Sequence, residues 1–260
     1  MQASDVSGVK SENDDKAMRL QERLAAQLDE LILLTRFQVL GEDKVLDFVY
    51  LDKKIRFFLP YALKDFIQRV ILKTNSFYES IDLEKFRHIL PSQATIVDAG
   101  ANIGNHSVFF SVICGAKKIY AFEPMTQTFE ILQRNVALNA PGQVECINAA
   151  LGAAQGRAVI SAYRDHNFGA AAVRNDDRGA YTVTTIDSLN LPAFDFIKID
   201  VEGSQLAVLK GAEETLKKYA PLIWIELHSK DIAPASLALE CLGYNCSDTL
   251  SKTNFLFKKS

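Results

Sequence analysis

No run in this sequence is long and apolar enough to cross a bilayer. The opening stretch, MQASDVSGVKSENDD, has no apolar centre of the kind a signal peptide needs. Cysteine is scarce. Cys114, Cys146, Cys241 and Cys246 form no CxxC pair, and Cys241 and Cys246 have no histidine at zinc-ligand spacing. That usage suits reduced thiols and a cytoplasmic setting. There is no basic block either. A net charge of −3 argues against a protein held on nucleic acid by charge alone. Internal repeats are absent, and residues 1–14 are the only stretch of low complexity, expected to be a disordered tail.

What is present is apolar material: 48% of 260 residues, enough for one large α/β domain with extra elements. Residues 15–90 read as an extension. Leu20, Leu24, Leu28 and Leu31 recur at helical spacing among charges, and this stripe packs on the core or forms a dimer seam. The run KVLDFVYLDKKIRFFL alternates and turns near Asp52–Lys54, which predicts a hairpin. YALKDFIQRVILKT reads as a helix after Pro60. From residue 91 the rhythm is strand, helix, strand, helix. Strands are expected at 95–99, 118–122, 144–148, 194–199 and 222–227, with a last one in TNFLFKK. Helices are expected at 105–114, 126–139, 204–216 and 236–242. Such alternation predicts a mostly parallel sheet with helices on both faces.

Ligands of open α/β sheets collect at the carboxyl ends of the strands. Those ends are acidic here: Asp98, Glu123, then Asp200 with Glu202, then Glu226 with His228. Gly100 permits a sharp turn after Asp98, and Gly104 lets the next helix start close beneath a guest. Asn102 and Asn105 can add side-chain hydrogen bonds. Glu123 lies 19 residues beyond Gly104, where an acid accepts from a ribose diol. The dinucleotide fingerprint would need a glycine where Asn102 stands. Asp98 would repel a pyrophosphate, yet it attracts the ammonium and sulfonium of S-adenosyl-L-methionine. The loop therefore favours that cofactor over a nicotinamide dinucleotide.

The segments IVDAGANIGNHSVFF, IYAFEP, INAALG, TTIDSL, FIKIDVEGSQLAVLKGA and PLIWIELH, in this order, resemble the FkbM-type family of S-adenosylmethionine-dependent methyltransferases. The resemblance covers roughly residues 76–228. It implies a class I, Rossmann-like methyltransferase fold with a seven-stranded sheet over 91–260. It also implies methylation of a hydroxyl, most often on a sugar of a glycan or natural product. By the same resemblance Asp98, Gly100, Asn102 and Gly104 hold the methionine end, and Glu123 the ribose. Asn148, Ala149 and Ala150 flank the adenine, and Asp200–Gly203 line the reaction centre. Tyr78 and Glu79 belong to a segment that folds over the cofactor.

Asp200, Glu202 and His228 are the candidates for the base that takes the acceptor's proton. Lys198, inside an apolar strand, needs Asp200 or Glu226 as a partner. His106 is expected as a surface or loop contact; His88 and His166 are read as structural. Residues 163–180 form an insertion whose Asn167 and Phe168 could reach the acceptor. No metal is expected. A small-molecule or glycan acceptor, no nucleic acid, no membrane span and a possible homodimer complete the expectations. Rival readings are a nicotinamide-dependent oxidoreductase and a non-catalytic fold relative. A nucleic-acid substrate is disfavoured by the acidic balance and by the lack of an NPPY-type clamp after the fourth strand.

Overall fold

The computed structural model describes residues 6–164 and 167–260, with the side chains of 6–13, 161–173 and 175 left aside. His166 and the side chains of Asn167 and Phe168 thus fall outside the described residues.

The chain opens with α1 (Val6–Val39). This helix starts inside the stretch 1–14 expected to be a tail. A hairpin follows, β1 (Val45–Tyr50) and β2 (Lys53–Phe58), paired from Val45↔Phe58 to Tyr50↔Lys53. Its two-residue turn, Leu51–Asp52, has positive φ at both positions, matching the right-handed twist of the strands. Next come α2 (Phe66–Thr74), whose N-cap Asp65 accepts from the Gln68 amide, and α3 (Ser80–Ile89).

The alternating part begins with β3 (Thr95–Ala99), α4 (Asn105–Val112), β4 (Lys118–Phe122), α5 (Thr126–Asn139) and β5 (Val144–Ile147). Then β6 (Ala150–Leu151), β7 (Gly156–Arg164), β8 (Asn167–Asn175) and β9 (Tyr181–Thr184) build a separate four-stranded sheet in the order β6-β9-β7-β8. The chain returns through β10 (Phe196–Ile199), α6 (Gln205–Lys210), α7 (Glu213–Tyr219), β11 (Leu222–Glu226), α8 (Ser229–Cys241), β12 (Tyr244–Thr249) and β13 (Asn254–Lys259).

The main sheet has seven strands in the order β12-β13-β11-β10-β3-β4-β5. Five run parallel, and β13 and β12 close the edge antiparallel. Strand order reverses between β3 and β10, so a crevice opens at their carboxyl ends. Side chains alternate strictly between two cores. Ile96, Phe196 and Trp224 face the core shared with α3, α4, α5 and the hairpin. Val97, Ile197 and Ile223 face the core under α6, α7 and α8.

Two helices of the alternating part differ clearly from expectation. The one predicted over 204–216 is broken at Gly211, because the Asp187 carboxylate accepts the amides of Glu214 and Thr215 and starts α7 afresh. The one predicted from Ser236 starts at Ser229 and carries Pro234 inside. The strand β12 had no expectation. Its exposed, polar sequence becomes a strand only by pairing with β13.

Candidate active site

The turn after β3 is built from left-handed residues: Gly100, Asn102 and Gly104 have φ of 85, 51 and 87°. The amides of Gly100 and Ala101 both donate to the Phe122 carbonyl, which locks the turn to the end of β4. Gly100 also lies against β10. A Cβ there would sit 1.8 Å from the Asp200 carbonyl oxygen. Gly100→Ala should therefore part the two central strands. We expect a loss of about 3 kcal/mol in thermal unfolding, from overpacking and the left-handed backbone together. A melting temperature equal to that of the parent would refute the close approach.

Asp98 is fully buried at the end of β3. Ser107 Oγ donates to its Oδ2 at 2.6 Å, but its Oδ1 has no hydrogen-bond partner among the described residues. A buried carboxylate oxygen in that state implies a cationic or donor group that completes it. Glu123, at the end of β4, accepts the Asn102 amide on Oε2 at 3.0 Å and the Met125 amide on Oε1 at 2.8 Å. Burial pushes its carboxyl up to about 7, against the pull of those two amides, and nearby Asp98 and Asp200 add to the rise.

A row crosses the three central strands on one face: Asp98 beside Lys198, and Lys198 beside Trp224. The Lys198 ammonium is buried, bonded to Asp200 Oδ2 at 2.9 Å and 5.6 Å from the Trp224 ring centre. Burial opposes its charge, yet Asp200, Asp98 and Glu79 hold it firmly protonated. Burial also opposes the charge of Asp200, but Lys198 and a hydrogen bond from Glu226 overcome it and keep Asp200 ionised. Glu226 is driven the other way, by burial and then by Asp200, and keeps the proton of the pair.

The segment Tyr78–Glu79 covers this row. Asn105 is buried, and its side chain accepts the Tyr78 amide at 2.9 Å and donates to the Tyr78 carbonyl at 3.0 Å. Its hydrogen bonds thus anchor the covering segment. Glu79 has φ of 56° and meets His106 Nε2 at 3.1 Å. Burial would raise the Glu79 carboxyl, but His106 and Lys198 bring it below its usual value. His106 is therefore no surface contact. It is buried and edge-on to Trp224 at 5.3 Å. Nothing local signalled that pairing, since the two residues stand 27 apart in sequence.

Of these groups, Tyr78, Glu79, Glu123, Asp200 and Glu226 border two adjoining clefts, which share Gly100, Glu123, Asp200 and Glu202. One continues past Pro124 and Met125 to Ala149, Ala150 and Leu151. The other is bordered by Tyr78, Glu79, Glu226 and His228. Asn148 stands beside the first. Its amide donates to the carbonyls of Glu123 and Pro124 at 2.8 and 3.0 Å, so it braces the wall instead of lending a donor to the cleft. His228 is exposed at the start of α8, and Glu202 has φ of 44° in the turn after β10. Glu226, named among the acidic strand ends but not among the candidate site residues, lines the second cleft. Its position at a strand end was the available signal. Among the described residues no group of histidine, cysteine and acidic side chains is arranged to hold a metal ion, and no helix is long and apolar enough to cross a membrane.

Comparison with known families gives a match to the Methyltransferase FkbM domain over residues 98–244, more than half of the chain. The chain belongs to the FkbM methyltransferase family. The matched region contains every strand end that borders the clefts. Curated proteins similar to this chain include methyltransferase sdnD of Sordaria araneosa, 30% identical over 48% of this chain and 62% of its own length. Hexuronic acid methyltransferase AglP of Haloferax volcanii is 32% identical over 51% of this chain and 55% of its own. The chain thus spans roughly three fifths of the length of these relatives. A solved structure described as methyltransferase FkbM from Methylobacillus flagellatus aligns with 88% of this chain and 59% of that one, at 17% identity and a TM-score of 0.47.

Proposed function

We propose that this chain is an S-adenosyl-L-methionine-dependent O-methyltransferase whose acceptor is a hydroxyl of a sugar. One observation carries the cofactor: the buried Asp98 oxygen without a partner, set beside Glu123 at the ends of neighbouring strands. The residues fit this guest. Asp98 suits its cationic methionine end, Glu123 retains acceptor capacity for a diol, and the buried Ala149 and Ala150 give an apolar wall to a purine. When bound, the cofactor supplies a methyl group activated by a positive sulfur.

The chain's own work is orientation and proton handling. Lys198 fixes Asp200 in its ionised form, which makes Asp200 a weak proton acceptor and a strong electrostatic one. Glu226 already holds a proton. That leaves His228, exposed in the lining of the second cleft, as the preferred base, with Glu202 in the same lining. The similarity to a hexuronic acid methyltransferase supports a sugar acceptor.

The test is methyl transfer from labelled cofactor to a panel of sugars, sugar nucleotides and glycans, with S-adenosylhomocysteine as the second product. His228→Ala should cut turnover about 100-fold and leave cofactor affinity intact. Binding of a nicotinamide dinucleotide in place of S-adenosylhomocysteine overturns the cofactor. Cofactor binding with no transfer to any hydroxyl acceptor supports a non-catalytic relative.

A further inference from the structure

The helix α1 leans on the body with one face only. Leu33 is 1% exposed there, Asp29 pairs with Lys73 at 2.8 Å, and the Arg36 guanidinium donates to the Leu72 carbonyl at 2.9 Å. The opposite face carries Leu20, Leu24, Leu28, Leu31 and Leu34, each between 40% and 60% exposed. A stripe of that size along a 34-residue helix is poorly stable in water unless something covers it. Leu20, Leu24, Gln27, Leu31 and Leu34 alternate spacings of four and three, the seam pattern of a two-stranded coiled coil.

We propose that α1 is the seam of a homodimer, in which the helices of two copies pack antiparallel through these leucines. The charges favour a second copy over a lipid surface. Between residues 16 and 34, Lys16, Arg19 and Arg23 are balanced by Glu22, Asp29 and Glu30, so nothing draws this helix to an anionic bilayer. They also favour the antiparallel sense. Arg23 and Glu30 stand seven apart on one border of the stripe. Reversal about a two-fold axis, with Leu20 against Leu31 of the second copy, sets Arg23 beside the other Glu30, and the reverse. A parallel pair would set the same border against Leu28 and Thr35, with no opposite charge to meet. Glu30 lies 3.7 Å from Arg69 and keeps a side chain 52% exposed, so it can serve both.

Sedimentation velocity of the full chain, from sub-micromolar to tens of micromolar, tests this independently of any catalytic reading. The parent should reach the dimer mass. Leu24→Glu/Leu31→Glu should stay monomeric with an unchanged circular dichroism spectrum and unchanged S-adenosylhomocysteine binding. Arg23→Glu should weaken the dimer about tenfold, and adding Glu30→Arg should restore it. A parent that is monomeric throughout, or a dimer that survives the double glutamate, overturns the proposal. So does a monomeric parent that pellets with phosphatidylcholine–phosphatidylglycerol vesicles through the same leucines.

Discussion

Glu123→Ala should reduce S-adenosylhomocysteine affinity by about 100-fold or more in a calorimetric titration. Three losses combine. The carboxylate no longer accepts from the ligand, and the amides of Asn102 and Met125 lose their acceptor. Each buried amide left unpaired costs about 1–3 kcal/mol. The glycine turn is then free to leave the end of β4. An affinity within threefold of the parent would remove Glu123 from the site. The same group sets a pH dependence. Its folded carboxyl is pushed up to about 7, so its contribution to stability is complete below the ordinary value of 4.5 and fades as pH rises through 7. Hydroxyl donors favour the ionised form, so ligand binding should release a proton near pH 6–7 and tighten over that range. Titration in buffers of different ionisation enthalpy reads this directly; proton uptake on binding would contradict the assigned partner.

Lys198→Met should be the most destabilising single change at the site. The ammonium is buried and compensates Asp200, with Asp98 and Glu79 close by. Removing one member of a buried ion pair costs about 3–5 kcal/mol, because the other charge remains without compensation. For a domain of this size the melting temperature should fall by roughly 10 °C. Lys198→Met/Asp200→Asn should recover part of the loss, since the stranded charge is gone. Equal melting temperatures for the parent and Lys198→Met would show that the cluster is solvated or protonated in another way.

Several parts of this arrangement were legible in the sequence. The strands 95–99 and 118–122 match residue for residue, because short apolar runs ended by glycine or proline leave little choice of register. The two-residue period of a strand puts Phe196, Lys198 and Asp200 on one face, and Trp224 and Glu226 on one face of the next strand. The need of Lys198 for a carboxylate followed from the cost of burying a lone charge. Other features left no local trace. The break at Gly211 depends on Asp187, far back in the chain. The strand β12 exists because β13 offers it an edge. The two bonds between the Asn105 side chain and the Tyr78 main chain join residues 27 apart in sequence.

By itself the sequence determined the alternation of strands and helices, the acidic strand ends and the glycine turn, since each is fixed by neighbours a few residues apart. The tertiary structure alone decided which acid holds the proton of the Asp200–Glu226 pair, which oxygen of Asp98 stays open, and how His106 meets Glu79. Those outcomes depend on burial and on distances between groups far apart in the chain, and electrostatic energies in a low-dielectric interior change steeply with both.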